Sequence, residues 1–511
     1  MKKVLSLLLV TCMAIGAAAC SKQGEADGGA ALDPSNPKSK DEKVTYQIFR
    51  NVSAPDYPED GGPGKQIVLD SMAKAGITNV DYKVEMTSGS EYATKLNLKA
   101  SSGQIPDMFE PDYATFLRMV DEGLLLPLND YLDKSPNIMK LIPAWKLDYV
   151  TVDGNIYAIP TGVRPEPFNI EARQGYVYRQ DWLDKLGLAP PQTLDDMYNV
   201  LKAFTNDDPD GNGKQDTFGL TVGKDNVFNG IFGAYGIIPT FWKESNGKIV
   251  KGFTLPEAKE ALATLQKWYK EGLIDPQFLV TESPQRDANF VNSKYGVIED
   301  NPLVLDPNNV LNTALAKVIP NVKLAFVPGP KGPTGLSGFP EASPINQIRA
   351  VSAEVKDPDK LFRMLDWMQN DDGGFNLIHY GVEGTDHTYD EASDSIVQIS
   401  SYPELYKKGY SNPIRFLNDV DVRWTVQVVR DNILKIAGTN INNALWTPVP
   451  AELDYPDLEK KLWKEYFAKI VIGEYSVDKW DEFVEKYYQQ GGQEIEKQAN
   501  EAWNKLNAAK K

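Results

Sequence analysis

The sequence predicts an α/β fold with two lobes. Three observations carry this. Strand and helix patterns alternate regularly from Val44 onward, the chain of 511 residues is too long for one simple core, and 42% of those residues are hydrophobic, enough for a large one.

Val44-Thr45-Tyr46-Gln47-Ile48-Phe49 alternates as a strand. A Pro/Gly-rich loop follows from Pro55 to Gly64, and Lys65 to Ala75 reads as a helix stopped by Gly76. Val80 to Met86 is a second strand and Glu91 to Ala100 a second helix. Pro106-Asp107-Met108-Phe109 opens a third strand, with a helix around Tyr113 to Glu122. Such alternation predicts a largely parallel sheet with ligands beyond the carboxyl ends of its strands. That edge holds Arg50 to Tyr57 and Glu110 to Tyr113. Thr193 reads as an N-cap with Asp195 and Asp196 in the first turn. Pro256 to Glu271 reads as an amphipathic helix closed by Gly272, with Trp268 facing the core. Lys243 to Lys251 reads as a polar hairpin, and Leu458 to Phe467 and Trp480 to Tyr488 have helical apolar spacing.

The first twenty residues have the form of an export signal. Lys2 and Lys3 precede an uncharged stretch, Val4 to Ala19, which ends in Ala17-Ala18-Ala19-Cys20. The stretch is shorter than the roughly 20 residues needed to span a bilayer. Residues 1–19 are therefore expected to be a signal peptide. A Cys after small residues resembles a bacterial lipobox, with Ala17 where Leu is usual. The resemblance implies that Cys20 carries lipid, palmitate among its acyl groups, and anchors the protein to the outer face of the cell membrane. Residues 20–43 hold one large aliphatic side chain, Leu32, and read as a flexible tether.

The only other cysteine, Cys12, lies in the signal, so the mature chain has no disulfide or Cys-based metal site. The net charge is −17, and removal of Lys2 and Lys3 makes the mature chain more acidic still. This argues against nucleic acid as a partner.

Several strings occur in order: Gly103 to Phe109 (GQIPDMF), Val120 to Leu128 (VDEGLLLPL), Asp153 to Pro160 (DGNIYAIP), Tyr178 to Leu188 (YRQDWLDKLGL), Leu265 to Pro276 (LQKWYKEGLIDP) and Phe290 to Gly296. Taken together, from Val44 to Trp367, they resemble the solute-binding lipoproteins of carbohydrate ABC transporters. The nearest branch is the large oligosaccharide binders, similar to alginate-binding and pectin-fragment-binding proteins. The resemblance implies a periplasmic-binding-protein-like fold with a hinge, a central cleft and extra C-terminal helices on the second lobe. It places chain crossings near Pro160 to Tyr178 and Ile345 to Ser352. The expected lobes are residues 44–165 plus about 350–420, and 166–349 plus about 421–511. It also implies ABC importer permease subunits as partners, and a monomer suits a protein that must close and dock.

Asp208-Pro209-Asp210-Gly211-Asn212-Gly213-Lys214-Gln215-Asp216 places oxygen ligands at positions one, three, five and nine, with Gly at six. This is most of an EF-hand calcium loop. Asp208, Asp210, Asn212, the Lys214 carbonyl, Asp216 and Thr217 are the expected ligands of a structural calcium ion. Position twelve, usually a bidentate Glu, is Gly219. Alginate-binding relatives hold calcium in a similar loop with an acidic residue at the position of Thr217.

Sugars are bound by aromatic faces and planar polar groups. The candidates are Tyr57, Glu110, Asp112, Tyr113, Asn226, Phe228, Trp242, Asn301 and Trp446. Arg50, Arg164 and Arg173 would suit a uronate through bidentate contacts. The rival class is a secreted polysaccharide-active hydrolase or lyase, but no motif sets a carboxylate pair apart, and His379 and His387, the only histidines, resemble no catalytic triad. A sugar sensor or adhesin without transport is the third class. The expected function is capture of an oligosaccharide, with uronate-containing glycans among the candidates, and its delivery to an importer.

Overall fold

The computed structural model describes residues 42–87, 89–142, 144–161, 174–224, 226–341, 343, 348–370, 373–392, 395–417, 426–436, 438–447 and 449–509. Cys20, the signal peptide, nearly all of the tether, Arg164 and Arg173 lie outside these residues. Residues 44–511 form one compact unit.

Two separate sheets organise that unit. The first has five strands in the order Val80–Thr87, Val44–Asn51, Met108–Phe109, Ile348–Val351, Ala158–Pro160. Val44–Asn51 pairs in parallel with both of its neighbours. The late strand Ile348–Val351 enters antiparallel, pairing with Met108–Phe109 on one side and Ala158–Pro160 on the other. The parallel expectation therefore holds for the N-terminal strands and is broken by a strand from far along the chain. Helices Gly62–Lys74, Ser90–Ser101 and Tyr113–Asp121 follow the first three strands in turn. The first starts before its expected residue, with Pro63 in its first turn, where a missing N–H costs nothing. It stops where Gly76 takes a φ of +78°.

The second sheet runs Leu324–Val327, Gly175–Arg179, Tyr295–Asp300, Phe218–Thr221. Gly175–Arg179 is antiparallel to both neighbours, whereas Tyr295–Asp300 and Phe218–Thr221 are parallel. The Leu194–Asn206 helix beside it opens with a capping box: Thr193 Oγ accepts from Asp196 N at 3.1 Å and Asp196 returns the bond to Thr193 N at 3.0 Å. The expected hairpin is present as Trp242–Ser245 and Lys248–Lys251, with Asn246 and Gly247 both at positive φ, as a tight type I′ turn requires.

Each sheet has its own apolar packing. Around the first, Ile48, Val68, Met108, Ile159, Val351, Leu361 and Phe416 share one cluster. Around the second, Trp182, Phe204, Leu220, Phe253, Trp268 and Phe339 pack with Trp463, Phe467, Phe483 and Ile495 of the C-terminal helices. Those helices are also tied by hydrogen bonds: Trp480 Nε1 donates to Phe253 O at 2.9 Å, and the Asn500 amide bonds both the N–H and the C=O of Ile249. Among the described residues, no helix is long and apolar enough to cross a membrane.

Candidate ligand cleft and cation loop

The carboxyl end of the first sheet carries a pocket of about 360 Å³, lined by Arg50, Asn51, Tyr92, Glu110, Asp112 and Asn412 among others. Its floor is charged. Arg50 and Arg349 are almost fully buried, and both approach Glu110 Oε1, Arg50 in a direct hydrogen bond and Arg349 Nε at 3.4 Å. Arg50 Nη1 also donates to Pro413 O at 2.6 Å and Arg415 O at 2.7 Å, and Arg349 Nε to Phe416 O at 2.8 Å. The two guanidinium groups thus bind the 413–416 segment to the sheet edge. One carboxylate cannot neutralise both, and main-chain carbonyls of Pro413, Arg415 and Phe416 are among the further acceptors.

Tyr92 holds the pocket's back wall. Its ring stacks on Phe49 with centroids 4.3 Å apart, its hydroxyl donates to Phe49 O at 3.1 Å, and it accepts from Glu110 N at 2.8 Å. Asp112 caps the Tyr113–Asp121 helix by accepting from Thr115 N at 2.9 Å. Tyr113, half-buried, donates to Tyr149 O at 2.8 Å.

The structure brings Arg50, Glu110 and Asp112 to one pocket, with Tyr113 next along the chain. It separates others. Phe228 is fully buried and Trp242 is 3% exposed, both in the core of the second sheet, so neither offers a ring to a ligand. Phe228 takes φ +56° at the start of the Asn229–Ala234 helix, and that turn drives its ring inward against Phe278. Tyr57 is 8% exposed and packs in the first core, where burial pushes its hydroxyl pKa up. Asn226 is half-buried. Asn301 caps a short helical turn through Leu303 N at 2.9 Å and lines a different pocket, of about 640 Å³, with Arg286 and Asp300. Trp446 is half-buried and donates its indole N–H to Glu341 at 2.8 Å. Arg349, Tyr92 and Asn412 were missed. Arg349 had a signal, a lone charge inside the apolar strand Ile348-Arg349-Ala350-Val351.

Beyond the pocket, Glu299 is buried at the end of its strand. Its carboxylate accepts from Tyr176 Oη at 3.0 Å and Gly230 N at 3.2 Å. Burial pushes its pKa up to about 7 against these donors. Both histidines are buried, His379 Nδ1 lying 2.9 Å from Phe375 O and His387 Nδ1 3.2 Å from Tyr380 O.

The acidic loop joins the Leu194–Asn206 helix to the Phe218–Thr221 strand. Asp208 accepts from the N–H groups of Gly211, Asn212 and Gly213 at 3.0 Å each. Asn212 Nδ2 donates to Asp210 Oδ2 at 2.8 Å and to Asp216 Oδ1 at 3.1 Å, so these two carboxylates face one point. Desolvation of Asp208 is outweighed by its N–H donors, which hold its pKa below the usual range. Asp210 is pushed up, first by desolvation and then by Asp208 and Asp216. The donor set is hard oxygen and fits a hard cation. Among the described residues no three Asp, Glu, His or Cys side chains stand close enough to hold a metal as they lie; the loop's carboxylates are turned onto its own amides. Thr217 is corrected: its hydroxyl is buried and donates to Phe204 O at 2.7 Å, away from the loop. Gly219 already belongs to the strand, and a Cβ there would meet Leu201 Cβ at 2.8 Å, so the twelfth position has no room for a ligating side chain.

Two sheets, each with its own core, and a polar pocket at a carboxyl strand edge define a two-lobed α/β binding protein. The sequence pattern of the bacterial extracellular solute-binding protein family matches residues 66–374, more than half of the chain, and the chain belongs to that family. It is 27% identical to the polygalacturonan/rhamnogalacturonan-binding protein YtcQ of Bacillus subtilis (strain 168), over 97% of this chain and 98% of that one. It is 28% identical to the lipoprotein LipO of the same organism, over 90% and 92%. A crystal structure of the alginate-binding protein AlgQ2 without calcium ion superposes with a TM-score of 0.67 at 22% identity, covering 91% of this chain and 98% of that one. This last likeness is one of fold.

Proposed function

We propose that this chain is the lipid-anchored receptor of an ABC importer, capturing an oligosaccharide outside the membrane and handing it on. The observation that carries this reading is the match to YtcQ, a glycan-binding protein by name, along nearly the whole of both chains. The polar pocket at the strand edge supports it, since sugar sites need several convergent hydroxyl partners. The lobes are taken as 44–165 with about 350–420, and 166–349 with about 421–511. What supports this division is that the apolar clusters around the first sheet draw on residues 46–159 and 348–417, and those around the second on 176–339 and 429–499. Ligand bound between the lobes favours the closed population, which docks the permease. No bond is made or broken, and the working form is a monomer. Uronate-containing glycans stand first among the ligands, because YtcQ binds polygalacturonan by name.

Cys20 carries the lipid in this reading, supported by the signal pattern and by a lipoprotein relative. Asp208, Asp210, Asn212 and Asp216, with the Lys214 carbonyl, hold a structural calcium ion that pins the loop ahead of the Phe218–Thr221 strand.

The test is a thermal-shift panel on the mature chain with calcium present, using neutral and acidic oligosaccharides. A saturable rise with one glycan class, and recovery of the glycan intact, supports a receptor. A cleaved glycan would replace the transport reading with the hydrolase or lyase, and glycan binding by a cell that imports none would favour the sensor or adhesin.

A further inference from the structure

The C-terminal helices that pack on the second sheet close over a cavity that glycan capture does not use. It measures about 260 Å³, with Phe253, Leu458 and Ile495 as apolar walls. Leu453 and Tyr455, also in its lining, are exposed to solvent. Among the described residues, two stretches of helix widen into π-type turns, Leu458–Trp463 and Tyr488–Gly492. The first supplies Leu458, Glu459 and Lys460 to the lining, and the second begins directly after Tyr487, which also lines it. Turns of this kind are rare and gather at functional sites.

The polar side of the cavity offers acceptors. Lys251 is buried with three oxygens around its ammonium group: Thr240 O at 3.1 Å, Glu452 Oε1 at 2.9 Å and Glu459 Oε2 at 3.5 Å. The same ammonium group lies 4.6 Å from the centroid of the Trp242 ring. An ammonium has three donors, and all three are matched here. Two carboxylates therefore face one cation, and what they have left for a ligand is acceptor oxygen and one unit of negative charge. Lys460, the other basic residue of the lining, is exposed, where solvent and salt screen its charge.

Tyr487 supplies an independent sign. It is 1% exposed, and its hydroxyl is shielded from water with no hydrogen-bond partner among the described residues. An unpaired buried hydroxyl is unfavourable, and native folds keep few of them. Here the packing holds it in place. The ring meets Phe253 edge-on at 5.1 Å, and on another side it lies against Gly492, where a Cβ would stand 2.4 Å from Tyr487 Cε1. Gly491 makes the same room for Tyr455, with φ +131° and a Cβ position 2.6 Å from Tyr455 Cδ1. Two successive glycines thus seat two tyrosines of the lining.

The geometry points to a second binding site, for an organic cation: a primary ammonium or guanidinium group on an apolar stem. The Glu452 and Glu459 carboxylates and the Tyr487 hydroxyl accept from the cation, and Phe253, Leu458 and Ile495 pack on the stem. A free amine and a Lys or Arg side chain of a partner protein share this chemistry. The site has no lining residue in common with the pocket at the edge of the first sheet, so it does not depend on the glycan reading.

The experiment is calorimetric titration of the mature chain with hexylammonium, agmatine and a capped arginine tripeptide, with hexanoate as the anionic control. At least one cation should bind saturably at a single site, and hexanoate at least about tenfold more weakly. Tighter binding of the peptide than of either free amine assigns the cation to a partner protein, and the reverse order assigns it to a free amine. Glu459→Gln, a change at an exposed side chain, should weaken the cation several-fold. Tyr487→Phe should also weaken it several-fold while the melting temperature holds or rises, because the hydroxyl it removes has no bond to lose. A packing role would not give that split. Absence of saturable binding by any of the cations, equal binding of hexanoate, native affinity in either variant, or a Tyr487→Phe chain that melts below the native one would each overturn the proposal. None of these outcomes bears on the oligosaccharide panel, which tests the receptor reading separately.

Discussion

Glu110 and Arg349 meet at 3.4 Å beneath the pocket, and the same carboxylate oxygen also accepts from Arg50. The group serves two buried cations at once. Removing it leaves both guanidinium groups in a site shielded from water without the carboxylate they share. Breaking a buried ion pair in this way costs about 3–5 kcal/mol, whereas replacing all its members by apolar groups of similar size is far less damaging. Glu110→Ala is therefore expected to destabilise the folded chain by about 3–5 kcal/mol. The combination Arg50→Met, Glu110→Leu, Arg349→Met should lose less than the single change. Urea unfolding monitored by circular dichroism compares the two directly, and a triple variant weaker than Glu110→Ala would contradict the argument.

Glu299 makes stability depend on pH near neutrality. The folded chain keeps a proton on this carboxyl up to about pH 7 because burial disfavours the anion. The unfolded chain releases it near the ordinary Glu value of about 4.3. Between those values the folded state binds more protons, so stability falls as pH rises through the window and levels off above it. The full effect of a shift of this size is on the order of 3 kcal/mol. Glu299→Gln keeps an acceptor for Tyr176 and Gly230 and removes the titration. Its unfolding free energy should differ from the native chain's by a pH-dependent amount, with the variant gaining relative to the native chain from pH 5 to pH 8. A difference that stays constant over that range would place the titration elsewhere.

What was legible in the sequence was local. Val44–Asn51, Val80–Thr87 and their helices carry periodic patterns and stop signals such as Gly76, so their order could be read directly. The Thr193–Asp196 capping box and the Asn246–Gly247 turn are encoded in residues three apart or adjacent. What was not legible depends on chain distant in sequence. Ile348–Val351 inserts antiparallel between Met108–Phe109 and Ala158–Pro160, and nothing in those four residues announces it. The same insertion brings Arg349 to Glu110 and makes Arg50 a buried ion rather than an open carboxylate receptor. Aromatic residues show the same limit. Trp242 and Trp446 look alike in sequence, yet one is buried and the other half-buried, decided by the Asn443 and Glu341 contacts around them.

The acidic loop gives a prediction that rests on the calcium reading. Desolvation first, and then the Asp208 and Asp216 carboxylates, keeps Asp210 harder to ionise. A divalent cation would relieve that repulsion and stabilise the folded state by mass action, by about 2.7 kcal/mol at a hundredfold excess over its dissociation constant. Calcium should raise the melting temperature of the mature chain and chelation should lower it. Asp208→Ala should abolish the calcium-dependent part, whereas Thr217→Val should retain it, because the Thr217 hydroxyl is bonded to Phe204 O. Equal melts for native and Asp208→Ala chains, with and without calcium, would remove the ion from the account.

Gly233 tests how closely the second-sheet core is packed. It lies in the Asn229–Ala234 helix, and a Cβ built there would stand 1.8 Å from the carbonyl oxygen of Gly338. Helix propensity alone favours Gly233→Ala by about 1 kcal/mol. The contact opposes it: the neighbour is main chain, on the run leading into the Phe339–Pro340 strand, and cannot swing aside as a side chain could. Overpacking of this kind costs about 1–3 kcal/mol or more, so the clash outweighs the propensity gain. Gly233→Ala should lower the melting temperature. A variant with raised stability would show that the helix can move away from the strand and that the close approach at Gly233 is not fixed by the packing around it.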